Sequence, residues 1–140
     1  MQQSAPHRPR VVIVGSGFGG LMAAKALKRA DVDVIVIAKT NHHLFQPLLY
    51  QVATGILSSG EIAPATRDIL ANQKNAKVLL CEVSKINLNS HIVVAEKLSK
   101  QVILRYDYLI VAAGAGQSYF GNDHFATFAP GMTSIDDALE

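Results

Sequence analysis

Apolar positions along this chain fall in short runs divided by polar or glycine-bearing stretches. Val11-Val12-Ile13-Val14 is a β-branched run ending in Gly15, the pattern of a strand buried on both faces of a parallel sheet. Helix formers follow from Phe18 to about Ala30, with Leu21, Ala24 and Leu27 on one face and Lys25, Lys28 and Arg29 free to meet solvent. Val32 to Ile37 is a second β-branched run. Strand, glycine turn, helix and strand in this order make a right-handed βαβ unit.

Beyond Thr40 the pattern is less regular. His42-His43-Leu44-Phe45-Gln46-Pro47-Leu48-Leu49-Tyr50 is apolar without a clean period, and Pro47 argues against a helix running through it. Ala63 to Gln73 predicts a helix with Pro64 in its first turn and Ile69 and Leu70 inward. Lys77 to Val83 predicts a third strand. Ile92 to Ala95 and Val102 to Leu104 predict two antiparallel strands joined by a turn over Glu96 to Lys100. Tyr108 to Gly114 predicts a fourth buried strand, again ending in glycine. Ser134 is placed as an N-cap with Asp137 at the capping-box position, so a helix begins there. A chain that stops one turn into a helix reads as the N-terminal piece of something longer.

Composition narrows the classes. Apolar residues make up 49% and charged residues 17%, enough for a packed core. The net charge of +2 is spread without basic runs, which gives nucleic-acid binding no support. The single cysteine, Cys81, cannot form an internal disulfide and reads as a small core residue. Adjacent His42 and His43 point differently and do not make a helical metal pair; a loop or helix-edge role suits them. The start of the chain is polar, lacks the apolar core of a signal peptide, and is expected to be a disordered tail over 1–9. No apolar stretch approaches the roughly 18–20 residues of a membrane helix.

The chemistry lies in Gly15-Ser16-Gly17-Phe18-Gly19-Gly20, which fits G-x-G-x-x-G. In that pattern the first glycine makes the tight turn, the second lets backbone approach a pyrophosphate, and the third lets the helix pack on the sheet. The pyrophosphate then sits at the helix N-terminus, where free N–H groups and the dipole favour negative charge. The motif follows a strand, opens a helix and precedes a second strand, the context it requires. One expected part is missing: the carboxylate that usually ends the second strand and bonds the ribose is replaced by Ile37-Ala38-Lys39-Thr40. A basic residue there points to a 2′-phosphate, or Lys39 lies along the ribose or adenine edge, or it faces solvent.

Three segments together resemble the N-terminal part of the type II NADH dehydrogenases, non-proton-pumping NADH:quinone oxidoreductases with FAD, and most closely their mycobacterial-like branch. They are Val12 to Gly20, His43 to Gly55 (HLFQPLLYQVATG), and Tyr106 to Gly114 (YDYLIVAAG), and the likeness runs from about Arg10 to Glu140. The middle segment is the most diagnostic, since the glycine motif fits many flavoproteins. The resemblance implies an α/β, Rossmann-like FAD-binding fold with a parallel sheet and a small antiparallel meander, of which residues 10–140 are the N-terminal part. It implies that Gly15, Ser16, Gly17, Phe18, Gly19 and Gly20 hold the FAD pyrophosphate. Ala38 and Lys39 would flank the adenosine ribose, and Val83 would meet adenine through its backbone. Gln46 would lie near the flavin ring or ribityl chain, and Ala112, Ala113 and Gly114 would form the second flavin motif. Small residues at a strand's carboxyl end leave room for a ligand.

Other readings of these residues stay open. Leu44, Phe45, Leu48 and Leu49 read as core. Gln46 reads equally as a plain loop residue and Ala112 to Gly114 as a bare strand end; Tyr50 and Gln51 would position the flavin or line a path to it. The expected activity is electron transfer from NADH through FAD to a membrane quinone, by a protein held peripherally on the cytoplasmic side of the membrane, with a homodimer as the candidate assembly. Hydride transfer needs no acid–base residue here, so no catalytic residue is assigned. The NADH site, the quinone site and the membrane-binding parts are expected beyond residue 140. Competing classes are another FAD-dependent pyridine nucleotide oxidoreductase, a nucleotide-binding regulatory module sensing NAD(H) or NADP(H), and an incomplete gene product. A dithiol-disulfide reductase needs a redox cysteine pair, which one cysteine cannot supply.

Overall fold

The computed structural model describes residues 7–139. Its elements are β1 (Arg10–Val14), α1 (Phe18–Ala26), β2 (Asp33–Ala38), a 3-10 turn (Gln46–Leu48), α2 (Leu49–Ala53), α3 (Ser59–Ile62), α4 (Thr66–Ile69), β3 (Ala76–Leu80), β4 (Glu82–Asn87), β5 (Ile92–Lys97), β6 (Lys100–Arg105), β7 (Tyr108–Val111), a second 3-10 turn (Asp123–Thr127) and α5 (Ile135–Leu139). Four strands form a parallel sheet in the order β3-β2-β1-β7, and β4, β5 and β6 form an antiparallel meander. This is the expected Rossmann-like α/β arrangement.

Period-two alternation in β1 splits the core into two layers. Val11 and Ile13 face α1 and join Leu21, Ala24, Val34, Val36 and Leu70. Val12 faces the other way, joining Ile37, Cys81, Val93, Ala95 and Tyr106 under the meander. A sheet covered on both faces needs apolar residues at every position, which is why the β1 run is unbroken. Cys81 is buried in the second layer, as its apolar setting predicts.

Several boundaries differ from expectation. The helix expected to about Ala30 ends at Ala26, and tighter bonds follow, from Leu27 N–H to the Ala24 carbonyl (3.2 Å) and from Ala30 N–H to the Leu27 carbonyl (3.0 Å). Asn75 explains the stop: its Nδ2 donates to the carbonyls of Leu27, Ala30 and Val32 at 3.0, 3.2 and 3.2 Å. A side chain from the edge of β3 thus takes up the carbonyls a longer helix would have used itself.

The helix expected over Ala63 to Gln73 is α4 alone. Pro64 lies instead in extended backbone that pairs with 41–45: His43 N–H donates to the Pro64 carbonyl (2.9 Å), Phe45 N–H to Ile62 (2.8 Å) and Thr66 N–H to Asn41 (3.0 Å). The long-range pairing wins over local helix propensity. Ahead of it, α3 opens with a capping box. Ser58 N–H and Oγ–H both donate to Glu61 Oε2, at 2.7 and 2.8 Å, and these bonds hold the Glu61 carboxyl below its ordinary range.

The third strand expected over Lys77 to Val83 is divided. The chain leaves the parallel sheet at Leu80, and Glu82 to Asn87 becomes a separate strand of the meander with a bulge between Val83 and Lys85. Its polar composition hid it. β5 and β6 are longer than expected and leave a two-residue turn, Leu98-Ser99, with φ of 47° and 64°. α5 starts as expected: Asp137 Oδ2 accepts from Ser134 N–H (2.8 Å), and Asp137 N–H donates to Ser134 Oγ (3.2 Å). Of the tail expected over 1–9, residues 1–6 lie outside the described residues, while Arg8 pairs with Asp31 at 2.8 Å.

Candidate functional site

β1 has β2 and β3 on one side and β7 on the other, so the strand order reverses at β1. In open α/β sheets such a switch point opens a crevice at the strands' carboxyl ends. A cleft of about 870 Å³ lies there.

The glycine loop forms one wall. Gly15 has φ +105°, donates its N–H to the Ile37 carbonyl (2.8 Å), and lies so close to Ala112 that a Cβ would come within 2.8 Å of the Ala112 carbonyl carbon. Gly20 lies behind the loop, where a Cβ would come within 2.9 Å of the Gly15 carbonyl carbon and nearer still to its oxygen. These two glycines serve close packing. Gly17 is different: a Cβ there would meet nothing within 4 Å, because this glycine faces the cleft. Gly17 is also the N-cap of α1. It supplies no side-chain cap, and the first turn holds no acidic residue. The loop and helix end therefore present N–H donors and no carboxylate to the cleft, which is what an anionic group requires.

The remaining walls come from afar in sequence. Ala112, Ala113 and Gly114 follow β7, and Gly114 has φ +79°. Lys39 and Thr40 follow β2. Gln46 comes from the 3-10 turn, Thr133 and Ser134 come from the approach to α5, and Ile135 and Asp136 from its first turn. Gln46 and Phe18 also border an adjoining hollow of about 420 Å³, lined otherwise by Pro47, Leu49, Tyr50 and Met132.

The structure thus brings together Gly15, Ser16, Gly17, Phe18, Gly19, Lys39, Gln46, Ala112, Ala113 and Gly114. Gly20, Ala38 and Val83 do not line the cleft: Ala38 is buried at the end of β2, and Val83 is in β4, paired with Ala95. Lys39 Nζ pairs with Glu82 Oε1 at 2.9 Å on the surface. Leu49 is core and Leu44 and Leu48 pack against it, as their apolar pattern predicts. Phe45 is largely exposed and meets Phe18 edge-on at 5.3 Å.

Sequence reasoning missed several contributors, among them Thr40, His42 and Leu44, which also line the cleft. Thr133 to Asp136 reach the cleft because α5 packs on α2 through Ala138 and Ile135; the capping pattern marked the helix start but not its destination. His43 lies in a loop, as a loop or helix-edge role predicts, but it is buried with Nδ1 at 2.9 Å from the Ser16 carbonyl. Nothing local in the sequence signals that bond.

A βαβ unit with this glycine loop at a sheet switch point is the arrangement of the dinucleotide-binding folds, and the chain belongs to the pyridine nucleotide-disulphide oxidoreductase family, whose model matches residues 9–138. More particularly, it is 70% identical over 135 residues to the type II NADH:quinone oxidoreductase Ndh of Mycobacterium tuberculosis, covering 96% of this chain and 29% of that protein. It is 68% identical over 133 residues to NdhA of the same organism, covering 95% and 28%. A solved structure of NDH2 from Plasmodium falciparum in complex with NADH superposes with a TM-score of 0.84 at 29% identity, covering 95% of this chain and 28% of that one. The sulfide:quinone oxidoreductase of Aquifex aeolicus shares the fold, with a TM-score of 0.73 at 20% identity over 94% of this chain and 30% of that one. The chain therefore spans under a third of the length of these relatives. Among the described residues no helix is long and apolar enough to cross a membrane, and no cluster of His, Cys, Asp or Glu could hold a metal.

Proposed function

We propose that this chain is the FAD-binding portion of an NADH:quinone oxidoreductase, with residues 10–140 as the N-terminal part of its FAD domain. The observation that carries the reading is the open face at Gly17 beside an uncapped helix start free of acidic residues. A pyrophosphate needs that approach and those N–H donors. Gly15 to Gly19 would hold it, with Gly20 setting the distance of α1 from the sheet.

Ala38, Lys39 and the Val83 backbone would border the adenosine. Lys39 is paired with Glu82 at the surface, so a carboxylate stands beside the basic group at the end of β2. Glu82 is a carboxylate near the end of β2 that arrives from β4. Gln46 and the small residues Ala112, Ala113 and Gly114 would border the flavin, whose flat apolar face suits the neighbouring hollow. When bound, FAD would supply the relay of two electrons from a hydride donor to an acceptor. The protein's own part here is to bind, orient and cover. The single buried cysteine leaves this segment without a redox dithiol.

The names of the relatives support NADH and a quinone as the two substrates; the membrane, its cytoplasmic side and the dimer are part of the proposal alone. NADH would be the donor and a membrane quinone the acceptor, on sites expected beyond residue 140. The whole protein would lie peripherally on the cytoplasmic side of the membrane, as a homodimer.

The test is the visible spectrum of the purified chain after incubation with FAD and desalting. Flavin bands that stay with the protein are expected. A colourless protein that retains NADP instead would sink the flavin assignment in favour of a regulatory module. A colourless protein that retains neither would sink the claim that these residues hold FAD by themselves.

A further inference from the structure

We propose that His43 is a positioning residue for the pyrophosphate loop: its Nδ1–H holds the Ser16 carbonyl away from the cleft and so aims the Gly17 N–H into it. The inference rests on the assignment of FAD to this cleft.

His43 is 7% exposed, and its Nδ1 lies 2.9 Å from the Ser16 carbonyl oxygen. A carbonyl oxygen only accepts, so Nδ1 carries the proton. Ser16 O and Gly17 N–H belong to one peptide unit, and the described residues contain no cis peptide bond. In a trans peptide these two groups point in opposite directions. Drawing the oxygen to His43 therefore turns the N–H the other way, to the side on which Gly17 lines the cleft. Without that hold the unit is free to rotate, since Gly17 has no Cβ to oppose it. The rotated form would set a carbonyl oxygen against the pyrophosphate, where like partial charges repel.

His43 is itself well anchored. Its N–H donates to the Pro64 carbonyl at 2.9 Å, and the next residue but one, Phe45, donates to Ile62 at 2.8 Å. Its ring meets the Phe18 ring edge-on at 5.1 Å, and Phe18 meets Phe45 at 5.3 Å. A segment fixed by extended pairing with 62–66 thus sets the orientation of a peptide far earlier in the chain. This also accounts for a polar side chain buried at the head of an apolar run.

Two substitutions separate the donor from the ring. His43→Asn keeps an N–H donor near the place of Nδ1 and loses the ring. His43→Phe keeps the ring and loses the donor. FAD affinity is read by flavin fluorescence titration, folding by thermal melting, and the wild-type imidazole tautomer by its 15N shifts. The expected result is the Nδ1–H tautomer, His43→Asn within about threefold of wild-type affinity, and His43→Phe weaker by roughly tenfold or more. The opposite ranking, or an imidazole protonated only at Nε2, overturns the proposal. If His43→Phe fails to fold, His43→Asn decides: near wild-type affinity supports the positioning role and a tenfold loss overturns it. Wild type that takes up no FAD overturns the flavin reading and this inference with it. Wild type that binds FAD beside a His43→Phe that binds equally well overturns the positioning role alone.

Discussion

Gly17 and Gly20 are chemically identical and three residues apart, yet alanine at each should fail for a different reason. At Gly20 a Cβ would lie 2.9 Å from the Gly15 carbonyl carbon and closer still to its oxygen. Ordinary contact between such atoms is about 3.5–4 Å, so α1 must retreat from β1 by roughly 1 Å. That retreat loosens Leu21 and Ala24 against Val11 and Ile13 in the first core layer. Forcing a methyl into a close-packed contact costs about 1–3 kcal/mol, against which alanine returns up to about 1 kcal/mol of helix propensity. The net loss should be about 1–2 kcal/mol, a fall of roughly 3–7 °C in Tm for a domain of this size. At Gly17 the methyl meets nothing within 4 Å, and the backbone at φ −68°, ψ −167° is one any residue adopts. Stability there should hold, or rise by up to about 1 kcal/mol. The methyl instead stands where the pyrophosphate approaches, and losing one charge-assisted hydrogen bond weakens FAD by about 1.5–3 kcal/mol, roughly 10- to 150-fold. Thermal melts and flavin titrations of Gly17→Ala and Gly20→Ala decide the matter. A Gly17→Ala chain that binds FAD as tightly as wild type would refute the placement of the pyrophosphate, and an undiminished Tm for Gly20→Ala would refute the packing argument.

Three further outcomes are expected. Asn75→Ala strands the carbonyls of Leu27, Ala30 and Val32 and should cost about 1–3 kcal/mol by denaturant unfolding, with Asn75→Asp worse because it turns a carboxylate on them. The Asp137 carboxyl is held down to about 2 from the usual 3.8 by N–H bonds from Thr133 and Ser134. A depressed carboxyl stabilises above its unfolded pKa and stops doing so as pH falls through the folded one, so amide protection at the start of α5 should be flat from about pH 5 to 8 and decline between about pH 4 and 2. Leu98 and Ser99 both take positive φ in the β5–β6 turn, where Asn-Gly is preferred, so Leu98→Asn with Ser99→Gly should raise stability by about 1 kcal/mol in a melt; an unchanged Tm would count against the turn assignment.

What the sequence by itself determined is what burial and glycine geometry write locally. A strand covered on both faces has to be apolar throughout, so β1 and β2 are legible from their runs; the buried strand expected over Tyr108 to Gly114 is instead β7, Tyr108–Val111, at the edge of the sheet with Tyr108 and Val111 exposed. Gly15, Gly17 and Gly20 are legible because turn, ligand approach and helix packing each exclude a side chain at a fixed spacing. Only the tertiary structure decided what depends on partners distant in sequence. Asn75 shortened α1 by taking its last carbonyls, and extended pairing with 41–45 kept Pro64 out of a helix. Glu82 to Asn87 became a strand because β5 offered it a ladder, although its own composition is polar. The same holds for the site. His43 reaches the Ser16 carbonyl, Lys39 meets Glu82, and Thr133 to Asp136 close the cleft, each across a distance in the chain that no periodicity spans. A local pattern records how much water a residue must avoid, whereas the identity of the neighbour that excludes the water is a property of the folded whole.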